Sequence, residues 1–169
     1  VVYAVENRGH ETMYFGIGGH PGFRVPLEEG KRFEDYRLTF ARPSRPCRVL
    51  LSDSYMLSGH DALYPLEDGA TLPLRHGLFD GDAIILKNFE RTMTLSAGEG
   101  TRGLTLSCPQ MRYLGIWHQP KTDAPYVCLE PWASLPSRQD VVEDLTQQND
   151  LISLEPGQHY ENRWTITIF

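Results

Sequence analysis

Tyr160-Glu161-Asn162-Arg163-Trp164-Thr165-Ile166-Thr167-Ile168-Phe169 closes the chain, with Trp164, Ile166 and Ile168 on one face and Thr165 and Thr167 on the other. Successive Cβ atoms of a strand point to opposite sides of the sheet, so this alternation predicts a half-buried antiparallel strand. Similar apolar or alternating runs occur at 1–5, 12–17, 36–40, 49–51, 83–86, 93–95, 104–106, 113–117 and 126–129. Turn-forming clusters separate them: Glu28-Glu29-Gly30, Glu67-Asp68-Gly69, Asp80-Gly81-Asp82, Gly98-Glu99-Gly100 and Glu155-Pro156-Gly157. Pro26, Pro43, Pro46, Pro65 and Pro73 mark strand ends or sheet edges, because proline cannot donate to a central ladder. A single window, 137–148, offers an amphipathic pattern, with Val141, Val142 and Leu145 on one side, and would give at most one short helix. The expectation is an all-β chain, a large antiparallel sandwich or a barrel.

The chain has 169 residues, enough for one domain, and 40% are apolar, which suffices for a hydrophobic core. Twenty-two acidic residues against sixteen basic ones leave a net charge of -6, which repels polyanions. The densest basic patch, Arg42 to Arg48, lacks the interleaved aromatics of a base-stacking surface, so nucleic acid is not an expected partner. No run reaches membrane-spanning length, and Cys47, Cys108 and Cys128 show no disulfide spacing. A cytoplasmic location with reduced thiols and no membrane partner is the expectation. Val1-Val2-Tyr3-Ala4-Val5 is already strand-like at the first residue, as in the later part of a longer protein.

Two islands set a proton-handling side chain among Gly, Pro and aromatic residues. In Gly18-Gly19-His20-Pro21-Gly22-Phe23 the glycines permit close backbone approach and Pro21 fixes the torsion after His20. In Cys128-Leu129-Glu130-Pro131-Trp132 the residue before proline is driven to extended geometry, which predicts a carboxylate pointing off a strand end beside a flat indole wall. Read alone, either residue could be structural: His20 a turn histidine bonded locally, Glu130 a carboxylate capped by backbone amides. His60, His76 and His159 read as loop or surface residues, whereas His118 ends an apolar strand and is a candidate for lining a pocket. The histidines lack the spacing of a helical zinc site, and the cysteines are too far apart for a local metal knuckle. No serine sits in a nucleophile elbow, and Cys128 lies in a buried-looking strand without a thiolate-stabilising neighbour. What remains is acid-base chemistry without metal or cofactor.

Taken together, Val5-Glu6-Asn7, Met13 to Phe23, Gly115-Ile116-Trp117, Cys128 to Trp132 and Leu154-Glu155-Pro156-Gly157 resemble the aldose 1-epimerase (galactose mutarotase) family, in particular its LacX-like branch. The resemblance implies a large antiparallel β-sandwich of the mutarotase supersandwich type, of which residues 1–169 would be the C-terminal part, incomplete on its N-terminal side. It implies exchange of the α and β anomers of a free hexose through the open-chain aldehyde, without a cofactor. His20 stands at the family's general acid and Glu130 at its general base. Asp82 resembles the position of a carboxylate that holds sugar hydroxyls, and His118 and Trp132 would complete the substrate site as hydroxyl donor or wall.

Departures accompany the match. Family members commonly carry His-x-Tyr-Phe-Asn where this chain has His20-Pro21-Gly22-Phe23-Arg24, and Ala133-Ser134 follows Trp132 where many have glycine and an acidic residue. Upstream strands, with a further histidine and arginine that grip the sugar, would have to lie before Val1, so the segment by itself is expected to be inactive. A free and a phosphorylated sugar both remain open; Arg24, Lys121 and Arg138 are the cations a phosphate would use. The altered surround of both islands keeps a non-catalytic carbohydrate-binding or regulatory module as one alternative, and a structural β domain of a larger assembly as another. No oligomeric state is assigned.

Overall fold

The computed structural model describes residues 1–99, 101–139 and 141–169. Strands β1 (Val2–Glu6), β2 (Met13–Phe15), β3 (Gly22–Arg24), β4 (Arg37–Phe40) and β5 (Cys47–Leu51) open the chain. They are followed by β6 (Leu57–Leu63), β7 (Thr71–Pro73), β8 (Ile84–Lys87), β9 (Thr92–Ser96) and β10 (Gly103–Ser107). The chain closes with β11 (Tyr113–Trp117), β12 (Tyr126–Trp132), β13 (Ile152–Leu154), β14 (His159–Arg163) and β15 (Thr165–Ile168). Helical structure among the described residues is confined to two 3-10 turns, Phe33–Asp35 and His76–Phe79. None is long and apolar enough to cross a membrane.

Two antiparallel sheets face each other. The five-stranded sheet runs β15-β10-β9-β4-β7 and the six-stranded sheet runs β3-β12-β11-β8-β5-β6. Leu38, Phe40, Met93, Leu95 and Leu106 from the first meet Ile84, Leu86, Leu114, Ile116, Val127 and Leu129 from the second in one buried core. Alternation along each strand decides what is left for the other side of the six-stranded sheet. Ile85 lies between the core residues Ile84 and Leu86, so it faces outward and packs with Val49 and Leu57, under Leu51, Ala83 and Trp132. The architecture is an antiparallel sandwich, not a closed barrel. Beside it lie two short ribbons, β1 with β14 and β13 with β2.

Turn chemistry matches the glycine positions where φ is positive: Gly30, Gly69 and Gly157 each stand in one of the turn clusters. Gly100, in the turn cluster at 98–100, lies outside the described residues. Pro73 is in β7, the edge strand of the five-stranded sheet, where its missing N–H costs no central ladder bond.

Three expectations change. The closing run is not one strand: β14 ends at Arg163, Trp164 is buried, and β15 joins a different sheet by pairing with β10. Trp164 is pinned by a reciprocal pair of contacts with the first residue: its N–H donates to the Val1 carbonyl, and its carbonyl accepts from the Val1 amine. Ile166 and Ile168 lie on an edge strand and are exposed, Ile168 at 82%, so the alternation there does not report burial. The window 137–148 forms no helix among its described residues, and Asp140 lies outside them. Val141, Val142 and Leu145 are all exposed, and so short a helix is marginal unless it buries an apolar face. Instead the chain around Arg138 bridges to Leu57, with Leu57 N–H donating to Ser137 and Gln139 N–H donating to Leu57.

The third change concerns β12, which does not end before Pro131 but continues to Trp132. Leu114 stands opposite Pro131 in β11, but the Pro131 carbonyl points the other way and accepts from Gly19 N–H at 2.9 Å. The absent proline donor therefore falls on the side of the Gly18–Gly19 segment, not in the ladder with β11. Glu130 is consequently held inside a strand.

Candidate active site on the outer face of the six-stranded sheet

Cys128, Glu130 and Trp132 alternate along β12 with Val127, Leu129 and Pro131, so the first three share the outer face while Val127 and Leu129 enter the core. On β11, Gly115 stands opposite Glu130 and Trp117 opposite Cys128. Gly115 is required by crowding: a Cβ there would lie 3.0 Å from the Trp132 ring and 3.2 Å from the Glu130 Cβ.

The front island lies along the opposite edge of β12. Gly22 pairs with Cys128 and Gly18 bridges to Trp132, a register that sets His20 against Glu130. Two hydrogen bonds hold it there: Gly19 N–H donates to Pro131, and Leu129 N–H donates to Pro21 at 3.1 Å. Behind the island, Tyr3 donates its hydroxyl to the Gly18 carbonyl, and a Cβ on Gly19 would meet the Trp164 ring at 2.8 Å. Close packing on both sides is what the run of small residues permits.

His20 Nε2 and Glu130 Oε1 are 3.4 Å apart, with the imidazole 62% exposed and the carboxylate side chain 4% exposed. The Trp117 ring meets the imidazole edge-on, with centroids 5.9 Å apart. Burial raises the Glu130 carboxyl above the usual carboxylate range; the Asp82 charge adds to this, while His20 and the Trp132 indole oppose it. A raised carboxyl is a stronger base once ionised. Asp82 sits at φ +72°, a conformation Asp tolerates better than most, with its Oδ1 accepting from Ala83 N–H.

Two adjoining hollows open over this face. One, of about 240 Å³, is lined by His20, Glu130, Asp82, Trp117, Trp132, Tyr55 and the apolar floor of Leu51, Ala83 and Ile85. The other, of about 390 Å³, is bounded by the backbone of Gly16 to Gly19 with His20, Trp132, Ser134 and Leu135. His20 and Trp132 belong to both. Concave, largely apolar walls with a few convergent polar groups are the usual make-up of a small-molecule site.

Of the five candidates, the structure brings His20, Glu130, Asp82 and Trp132 to this cavity and takes His118 away. His118 follows Trp117, so if Trp117 faces the hollow, His118 faces the other side of the sheet. There it is fully buried among Phe33, His76, Phe79 and Tyr126, and burial lowers its pKa. Trp117 and Tyr55 add aromatic lining that is not among the five candidates. Pairing the runs 113–117 and 126–132 in register would have placed Trp117 beside Cys128; Tyr55, in the β5–β6 turn at φ +61°, gave no such signal.

Metal-ligating atoms converge at one point among the described residues, where donor atoms of His20, Cys128 and Glu130 lie within 4.8 Å of one another. Burial, with the Glu130 charge adding, pushes the Cys128 thiol up to about 11, so it is not a ready nucleophile.

No family model matches the chain. Protein LacX of Lactococcus lactis subsp. lactis, in its chromosomal and plasmid forms, is 31% identical over 154 residues, covering 88% of this chain and 51% of each LacX protein. A galactose mutarotase related enzyme from Lactobacillus acidophilus superposes with a TM-score of 0.89 at 28% identity, over 99% of this chain and 56% of that one. A galactose mutarotase-like protein from Lactobacillus casei matches with the same TM-score and identity, over 99% of this chain and 58% of that one. The chain thus spans about half the length of the curated relatives it matches. The antiparallel sandwich and these matches make the chain similar to galactose mutarotase-like proteins. By sequence it is similar to LacX-type proteins, and it matches part of their longer chains.

Proposed function

We propose that the intact protein, of which these residues form the C-terminal part of a single mutarotase-like domain, is an aldose 1-epimerase that interconverts the anomers of a free hexose. The observation that carries this reading is an imidazole 3.4 Å from a buried carboxylate, both lining a hollow walled by Trp117 and Trp132. Two oxygens bonded to one anomeric carbon are the natural targets of two proton-handling groups so close together. Glu130, as carboxylate, takes the proton of the C1 hydroxyl while His20, protonated, gives one to the ring oxygen. The C1–O5 bond breaks, C1 becomes an aldehyde, and rotation about C1–C2 precedes reclosure on the other face with both protons returned. No redox change occurs and no electron acceptor is required.

Each well-placed proton transfer contributes roughly 10²–10⁴-fold. The two indoles supply flat apolar faces for a pyranose ring, and Asp82 an acceptor for its hydroxyls. Among the described residues no lysine or arginine lines either hollow, which favours a neutral sugar over a phosphorylated one. Three free cysteines, two of them buried, favour a reducing, cytoplasmic setting.

Polarimetry of freshly dissolved α-galactose and α-glucose with the intact protein tests the proposal. Saturable acceleration of the approach to anomeric equilibrium is the expected result. Sugar binding by calorimetry with the spontaneous rate unchanged would instead support a non-catalytic carbohydrate-binding module.

A further inference from the structure

Cys128 has no part in the proton transfers above, yet it shares the outer face of β12 with Glu130 and is the sulfur nearest both acid-base groups. Two strand positions apart on one face, Cys128 and Glu130 present Sγ and a carboxylate oxygen to the same point, and the register brings the His20 ring over both. Nitrogen, sulfur and oxygen donors on three residues form the set that borderline divalent metals prefer to magnesium or calcium. We propose that His20, Cys128 and Glu130 form a three-ligand site for a zinc-type divalent cation, and that the cation and the sugar exclude each other.

The distances allow it. Tetrahedral zinc with bonds of about 2.0–2.3 Å holds its ligand atoms roughly 3.3–3.7 Å apart. His20 Nε2 and Glu130 Oε1 already stand at 3.4 Å, and the whole set lies within 4.8 Å. Closing the remainder asks for side-chain movements of about 1 Å, and the exposed His20 ring is the freest of the three to make them. The neighbouring hollow leaves a fourth position open to water. On binding, the Cys128 thiol loses its proton to solvent and the thiolate donates to the metal.

Exclusion follows from shared atoms. A metal on Nε2 and a Glu130 oxygen occupies the lone pairs through which those groups would carry protons. The metal site stands on the donor geometry alone; only its effect on anomer exchange rests on the function proposed above.

The test is titration of the metal-free intact protein with Co²⁺, followed by near-ultraviolet absorption. One equivalent should develop a thiolate-to-cobalt charge-transfer band. C128S should abolish the band and weaken Zn²⁺ binding in competition by more than about 100-fold, beyond the usual cost of losing an outer-shell partner. H20N changes an exposed residue and so tests the same site without risk to the core; it too should weaken Co²⁺ binding. Zn²⁺ should slow anomer exchange by the wild type, and C128S should exchange normally but resist that inhibition. Absence of the band, or its survival in C128S with Cys47 or Cys108 as the source, overturns the metal site. A protein that binds Co²⁺ through Cys128 but never exchanges anomers keeps the metal site and loses the epimerase reading.

Discussion

Glu130→Gln should lower kcat for anomer exchange by about 10²–10⁴-fold, the range for loss of one general base, with a much smaller change in KM. Glutamine keeps the shape and can still hydrogen-bond a sugar hydroxyl but cannot take its proton. The same substitution should raise the melting temperature at pH 8. Burial lifts the Glu130 carboxyl above its unfolded value, so the folded protein holds that proton more tightly than the unfolded chain does. The ionised carboxylate therefore costs stability above its folded pKa, and the cost vanishes below the unfolded pKa. The advantage of E130Q over wild type should be full at alkaline pH and shrink toward zero as pH falls through the raised range. A series of melts from pH 4 to 9 checks this. If E130Q is less stable at every pH, Glu130 is a structural carboxylate and its role as base is withdrawn.

Trp164→Ala should cost about 3–5 kcal/mol of stability, as expected for emptying the site of a large buried aromatic. For a chain of this size that is roughly 2–4 °C of melting temperature per kcal/mol. Trp164 is 5% exposed, stands where the chain leaves β14 for β15, and packs against Gly19. Its loss should therefore loosen His20 as well and raise KM or lower kcat at temperatures where the variant is still folded. Trp164→Phe should retain most of the stability, because the ring's packing survives while an indole N–H with no partner among the described residues is removed. Equal loss in both variants, read from denaturant midpoints, would contradict the packing explanation.

The sheets were legible in the chain because their strands announce themselves by composition. Tyr113–Trp117 has the span read from sequence, and β8, β9 and β10 lie within a residue or two of the expected runs. What could not be read locally is what lies across from each strand. The alternation of Trp164, Ile166 and Ile168 is real, but burial depends on covering neighbours, and β15 is an edge strand. Pro131 looked like a strand end, because nothing local shows that its missing N–H points away from the β11 ladder.

The same limit governs the site. His20 and Glu130 stand out as single groups amid glycine, proline and aromatic residues, whereas their pairing depends on the register 18 with 132 and 22 with 128. Trp117 rather than His118 takes the lining position, because one position along a strand reverses the face. The convergence of Cys128 with His20 and Glu130 leaves no mark in cysteine and histidine spacing, because the three donors meet only when strands pair.

The central claim is that one imidazole and one carboxylate serve the same anomeric carbon. A crystal structure of the intact E130Q protein soaked with galactose measures this most directly. The account predicts a pyranose between Trp117 and Trp132, with the His20 ring within hydrogen-bond distance of the ring oxygen and residue 130 within the same reach of the C1 hydroxyl. A sugar bound with its anomeric end pointing away from both, or seated on another face of the sandwich, would contradict it.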